Sequence, residues 1–191
     1  MKRLLLALTL TTLIFACKKE DVKPTTTPTN TTNEVAGCMD ILAVNYNSEA
    51  TEDDGSCEYL PTQLILSGIT INAIPLTNNG ANWDVGLFGS ENPDVFYVLK
   101  SGSDDIFSSS SQDNINACPI SFTEGLPYTI TNFSEEYTIE LYDNDQIAGI
   151  GGNELMGSCS FTPNEYIANG GDEINITSNG IDMTLDIEWL Q

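Results

Sequence analysis

Apolar and polar residues alternate along most of the second half of the chain, at the period of two that lines one face of a strand. "QLILSGITINAI" (63–74), "DVFYVLK" (94–100), "PYTITNF" (127–133), "EEYTIELY" (135–142), "MGSCSFT" (156–162), "EINITS" (173–178) and "MTLDIEWL" (183–190) all read as strands. Gly, Asn, Asp and Pro separate them, and no helical period intervenes. Short strands in series with turn residues between them predict an antiparallel β-sandwich over residues 62–191. Ile69, Ile71, Phe96, Ile139, Leu141, Trp189 and Leu190 are the expected core residues.

The first 36 residues follow another rule. "MKRLLLALTLTTLIFAC" has a basic start at Lys2 and Arg3 and an apolar stretch too short for a comfortable membrane span. It ends on Ala16-Cys17. A small residue before Cys resembles a bacterial lipoprotein signal, with residues 1–16 removed and Cys17 lipidated; an ordinary secretory signal is the competing reading. Residues 17–36 are a Thr/Pro/Asn-rich tether with nothing to bury. Their opening "CKKED" resembles the charged signal that sends lipoproteins of the Bacteroidetes lineage to the outer cell surface. The expected location is therefore the outer membrane, facing the exterior, with the lipid anchor as the membrane contact.

Five cysteines are an odd number for an exported chain. With Cys17 assigned to lipid, Cys38, Cys57, Cys118 and Cys159 remain, and four cysteines allow three pairings. Pairing within each module, Cys38 with Cys57 and Cys118 with Cys159, fits the domain division. "GCMDILAVNYNSEATEDDGSCEY" (37–59) resembles a small cysteine-bracketed module, G-C-x-D…D-D-G-S-C, of surface proteins from the same lineage. A module of residues 37–60 is too short to bury much, so a disulfide is expected to close it. Asp53-Asp54-Gly55 is a turn signal that also offers oxygen ligands.

The net charge is −22, and loss of Lys2 and Arg3 makes it −24. After residue 35, Lys100 is the sole basic side chain. Nucleic acid is excluded as a partner, because neutralising phosphates takes Lys and Arg. Histidine is absent, which removes Ser-His-Asp and Cys-His catalysis and zinc–histidine sites. A hard cation with oxygen ligands suits the composition, and calcium suits it best.

Two acidic loops mark where such an ion would sit. "WDVGLFGSENPDVFYVLK" carries Asp84 and Asp94; "IELYDNDQIAGIGGNELMG" carries Asp143, Asp145, Asn153 and Glu154. Alternate residues of an extended segment share a side, so Asp143 and Asp145 can face one point. Carboxylates brought close repel one another unless a cation bridges them.

At these positions the chain resembles the C2 domain family. "ITINAIPL" is similar to its opening strand, "PDVFYVLK" to its Asp-Pro-Tyr-Val strand with Pro93 and Asp94 reversed, "IELYDND" to its Asp-x-Asp strand, and "NELMGSCSF" to the strand that follows. The resemblance implies an all-β, antiparallel eight-stranded C2-like sandwich. It also implies calcium held by Asp84, Asp94, Asp143 and Asp145, with Asn153 or Glu154 assisting. The expected function is a calcium-binding, non-enzymatic binding or adhesion module whose ligand is a glycan, a protein or a phospholipid headgroup. A structural spacer stabilised by calcium is the alternative, and a carboxylate hydrolase is the least favoured.

Overall fold

A computed structural model of the chain describes residues 33–84, 92–145 and 152–191. Cys17, the signal and the tether as far as residue 32 lie outside the described residues. So do 85–91 and 146–151, which include the glycine-rich part of the second acidic loop.

The small module comes first. A parallel two-residue pair, β1 (Ala36–Gly37) with β2 (Glu52–Asp53), brings its ends together. Cys38 and Cys57 are disulfide-bonded across a separation of 19 residues. Exposed Asn45 ties the loop to its closing end, donating from Nδ2 to the Ser56 carbonyl and accepting the Glu58 N–H at 2.9 Å. Asp53 and Asp54 each accept a backbone N–H two residues on, from Gly55 at 3.0 Å and Ser56 at 2.9 Å. Of the two readings of these acids, the turn is the one formed. The tyrosine hydroxyl of Tyr59 donates to Asp40 at 2.7 Å. The module's backbone pairing begins at Val35, which accepts from the Thr51 N–H, two residues earlier than the sequence boundary.

The rest is an all-β antiparallel sandwich. One sheet runs β10 (Glu173–Ser178), β11 (Ile181–Leu190), β3 (Gln63–Ala73), with β6 (Ile120–Phe122) and β7 (Tyr128–Ile130) both paired to the far side of β3. The other runs β5 (Asp104–Ser108), β4 (Val95–Ser101), β8 (Tyr137–Asn144), β9 (Asn153–Phe161). Among the described residues nine strands thus fill eight lanes, four to a sheet, because β6 and β7 share one lane. The inner faces of β3, β4, β8 and β11 supply a common core that includes Leu66, Ile71, Tyr97, Leu99, Ile139, Leu141, Met183 and Leu185.

β3 reads "LILSGITI", and its buried residues change parity: Leu64 and Leu66, then Ile69 and Ile71. Both pairs can face one core only if a residue is inserted without a partner. Ser67 is that residue. Leu66 pairs with Ile187 and Gly68 with Asp186, leaving Ser67 unmatched, and its hydroxyl donates to the Asp186 carbonyl at 3.1 Å. A Cβ at Gly68 would run into the Asp186 carboxylate. A second bulge, on β9, pairs Tyr142 with Leu155 and Leu141 with Gly157. It sends Met156 inward and leaves Leu155 exposed.

Three sequence expectations change. Phe96 is buried, but on the outer face of its sheet, stacked on Tyr142 with ring centroids 5.3 Å apart. Its neighbours Val95 and Tyr97 take the inward positions. Trp189 and Leu190 are both half-buried, Trp189 edge-on to Phe133 at 5.6 Å, so the end of the chain borders the core rather than closing it.

The third concerns the cysteines. Cys118 and Cys159 are not bonded but free thiols. Cys118 leads into β6 beside the backbone of Ile74, whereas Cys159 faces the β10–β11 turn near Ser178 and Asp182. The two stand on facing sheets, Cys118 ahead of β6 in one and Cys159 on β9 in the other. Burial pushes both thiols up in pKa. Alkylation of the native protein is expected to modify half-buried Cys118 slowly and Cys159 only in denaturant. Mass spectrometry before and after reduction checks this; a mass unchanged by denaturant and alkylator until reductant is added would restore the bond.

Candidate metal centre

The acids collect at one pole. β3 carries the chain there and continues through Ile74 and Pro75. Trp83 is buried and donates its indole N–H to the Pro75 carbonyl at 2.7 Å, which fixes the loop immediately before Asp84. β8 arrives with Asp143, Asn144 and Asp145, and β4 leaves with Asp94 just ahead of Val95.

Strand alternation sorts these side chains. Val95 pairs with Asp143 and Phe96 with Tyr142. Asp143 follows inward-facing Ile139 and Leu141, so it points between the sheets. Asp145 has the same parity, and Asn144 the opposite one. Carboxylate oxygens of Asp84, Asp143 and Asp145 all lie within 4.8 Å of one another. Two oxygens on a single calcium ion can be at most about 5 Å apart, twice the ion–oxygen distance. The spacing therefore fits one ion.

Asp143 is the informative member. It is completely buried. Its Oδ1 accepts the Asp94 N–H at 2.7 Å, while its Oδ2, also buried, has no hydrogen-bond partner. A buried polar atom without a partner costs stability unless something satisfies it. Burial, then the carboxylates of Asp145, Asp84 and Asp94, push the Asp143 carboxyl up from 3.8 to about 6, against the pull of the Asp94 N–H. Asp84 is raised by burial, then by Asp94 and Asp145. Asp145 is raised by burial and by Glu154, with a hydrogen bond to Asp84 opposing. Without a proton or cation between them, these groups repel. The donor set is all hard oxygen, with neither His nor Cys, which suits calcium and disfavours zinc.

The remaining sequence candidates take other places. Asp94 acts electrostatically on all three acids, but its Oδ1 accepts the Asn114 N–H at 2.6 Å and it stands beside the converging trio. Glu154 pairs with Asp143 across the strands and accepts from the Asn78 amide at 3.1 Å. Asn153 pairs with Asn144, on the outward parity, and is not brought to the trio. The carbonyls of "QIAGIGG", expected to complete the shell, lie almost wholly outside the described residues.

Asn114, Asn78 and Trp83 hold the site's loops and acids, yet the sequence does not reveal them. Asn114 is twenty residues from the carboxylate that it orients, and no local spacing marks such a partner. Trp83 adjoins Asp84, and an aromatic next to an acid is the one available signal.

No protein-family model matches the chain, and no curated protein matches it either. Solved structures are similar in part. A structure of a C2 domain is 14% identical with a TM-score of 0.38, covering 65% of this chain and 94% of that one. The paired C2 domains of extended synaptotagmin 2 give 16% and 0.42, covering 68% and 42%. The first C2 domain of a plant extended synaptotagmin 1 gives 16% and 0.40, covering 69% and 98%. The chain spans nearly all of the single-domain structures and under half of the two-domain one.

Proposed function

We propose that this is a calcium-binding surface lipoprotein, a non-enzymatic binding or adhesion module held by lipid on Cys17 and displayed on the outer membrane. The observation that carries the cation is the convergence of Asp84, Asp143 and Asp145 around a buried, partnerless oxygen of Asp143. Bound calcium would supply positive charge and ligand sites for these oxygens; the acids would hold the two loops in register. The burial of Asp143 favours an ion with a structural role, which keeps the second reading, a calcium-stabilised spacer, in play. Direct docking on anionic phospholipid is disfavoured. Lys100, the one basic side chain after residue 35, already meets Asp105 at 2.8 Å and Glu140 at 3.4 Å.

Calorimetric titration of calcium into chelator-stripped protein tests the reading. A saturable isotherm is expected, lost in the Asp143→Asn/Asp145→Asn double variant. No heat from the wild type would leave the acids as a cluster without a cation. The anchor is tested separately. Cys17→Ser is expected to move most of the protein from membrane to soluble fractions; unchanged membrane retention with normal processing would overturn the lipid assignment.

A further inference from the structure

We propose that the apolar tip of the small module docks on the surface of a neutral, zwitterionic phospholipid bilayer. This rests on the reading of Cys17 as the lipid-bearing residue, and it adds a second membrane contact away from the acid cluster. Among the described residues, seven of the nine exposed large apolar side chains fall between Met39 and Leu60. The rest of the described chain contributes only Leu76 and Leu155. Ile41 and Leu42 are 77% and 81% exposed. They are the central residues of a tight turn, closed by the Ala43 N–H on the Asp40 carbonyl at 3.1 Å and by the Leu42 N–H on the Asp40 carboxylate at 2.9 Å. Such positions ordinarily carry Gly, Asn, Asp or Ser. Nothing in the turn itself requires two large aliphatic side chains.

Two segments bring these side chains together. The Val44 N–H bonds the Glu58 carbonyl at 2.8 Å, and the Tyr59 hydroxyl reaches Asp40 at 2.7 Å. The stretch ending in Tyr59 and Leu60 is thereby held beside the stretch from Ile41 to Val44. Val44 and Leu60 are exposed as well. A concentration of exposed apolar side chains in so small a unit marks a docking surface. Tyr46 and Tyr59 are also exposed, and tyrosine collects where hydrocarbon meets water, with its ring in one and its hydroxyl in the other.

Chain position names the occupant. Residues 18–32 separate Cys17 from the first described residue, and a chain of that length reaches at most about 55 Å. A lipid on Cys17 therefore keeps this patch beside the bilayer at a high effective concentration. The module joins the sandwich at the pole away from the acids, where the Thr62 N–H meets the Leu190 carbonyl at 2.7 Å and the Gln191 amide meets the Tyr59 carbonyl at 3.3 Å. Seating the module on the bilayer leaves the acid pole free. Charge then narrows the surface. The module carries six carboxylates, Asp40, Glu49, Glu52, Asp53, Asp54 and Glu58, and no Lys or Arg. Anionic lipid repels such a unit, whereas a zwitterionic surface accepts Ile and Leu without that opposition. A second copy is opposed more strongly, since each molecule stands at −24 once Lys2 and Arg3 are removed from −22.

The test uses the chain from residue 18 onward, without lipid, in chelator, floated with phosphatidylcholine vesicles and with vesicles in which half the lipid is phosphatidylglycerol. Half of the protein is expected to float at about 1 mM phosphatidylcholine. The anionic vesicles should bind severalfold more weakly, and added salt should shrink the difference. Ile41→Ser with Leu42→Ser is expected to weaken flotation at least about tenfold, whereas Ile41→Leu with Leu42→Ile should keep it. Both pairs sit in an exposed turn, and an intact Cys38–Cys57 bond by mass spectrometry shows that the module has formed. No flotation of the wild type, equal flotation of the serine variant, or tighter binding to the anionic vesicles overturns the proposal. A dimer in analytical ultracentrifugation that the serine pair dissolves, without flotation, also overturns it and puts a second copy on the patch. The anchor is read independently from the mass of Cys17 in the cell-derived protein. Lipid found there without flotation sinks the patch alone, and flotation without lipid there sinks the anchor alone.

Discussion

Stripped of divalent ions, the protein is expected to lose stability as pH rises through about 6, and calcium is expected to reverse the loss. The folded Asp143 carboxyl titrates at about 6 rather than 3.8. Between those values the folded state binds more protons than the unfolded one, so stability falls with rising pH. The group's contribution is intact below 3.8 and lost by the time pH has passed its folded pKa. A displacement of this size is worth on the order of 3 kcal/mol. Asp84 and Asp145 are raised too and act in the same direction. Calcium binding only the folded state adds about 2.7 kcal/mol at a hundredfold excess over its dissociation constant. For a chain of this length that is roughly 5–10 °C in Tm. Circular-dichroism melts from pH 4.5 to 8, with chelator and with calcium, check both statements. Asp143→Asn separates this site from the general repulsion of an acidic chain. In chelator at pH 8 it should melt above the wild type, because a buried charge is gone, and its calcium response should vanish. A chelated wild type whose Tm is flat or rising from pH 5 to 7 would contradict the assignment.

Replacing both Cys38 and Cys57 by Ser is expected to unfold the small module while the sandwich persists. Within the module Cys38 and Ala43 are buried, whereas Ile41, Leu42, Val44 and Leu60 are exposed. Without a core, the crosslink is the main restraint on the chain. Closing a loop of this length contributes about 3 kcal/mol by chain entropy; the module's side-chain hydrogen bonds are solvent-exposed and exchange for water once the loop opens. Limited proteolysis should cut the double variant between residues 38 and 57, leaving a resistant fragment from about residue 62 onward. The melting transition of the sandwich should stay where it was. Protease resistance of the intact double variant would show that the module packs by other means.

The strands that could be read from the sequence are those with one wet face and one dry face. β8 alternates buried and half-buried residues without a break, and "YTIELYDN" shows it. β5 escaped because it is an edge strand with no fully buried residue, so "DDIFS" carries no alternation. β6 escaped because its three residues stand alone between Pro119 and the Glu124-Gly125 turn, whereas the equally short β7 lies within a longer alternating run, residues 127–133. The convergence of Asp143 with Asp145 was legible for the same reason as β8: parity is local. Asp84 joined them through loop order. The side of the strand that Asn153 takes was not legible, because it depends on its pairing with Asn144. The cysteine pairing failed because it rested on an even cysteine count, and a count carries no information on where β6 and β9, on facing sheets, put their side chains.

The placement of β3 has a mechanical consequence. Gln63 pairs with Leu190 at the pole opposite Asp84, and β3 is flanked by β11 on one side and by β6 and β7 on the other. A pull transmitted from the N-terminal side, with the acid pole gripped by a ligand, runs along the axis of β3. Its cross-strand hydrogen bonds are then loaded together in shear, on both edges, rather than peeled one at a time. The Ser67 bulge interrupts the ladder to β11 partway, so slippage should begin at the Gln63–Leu66 segment and stall before Ile69.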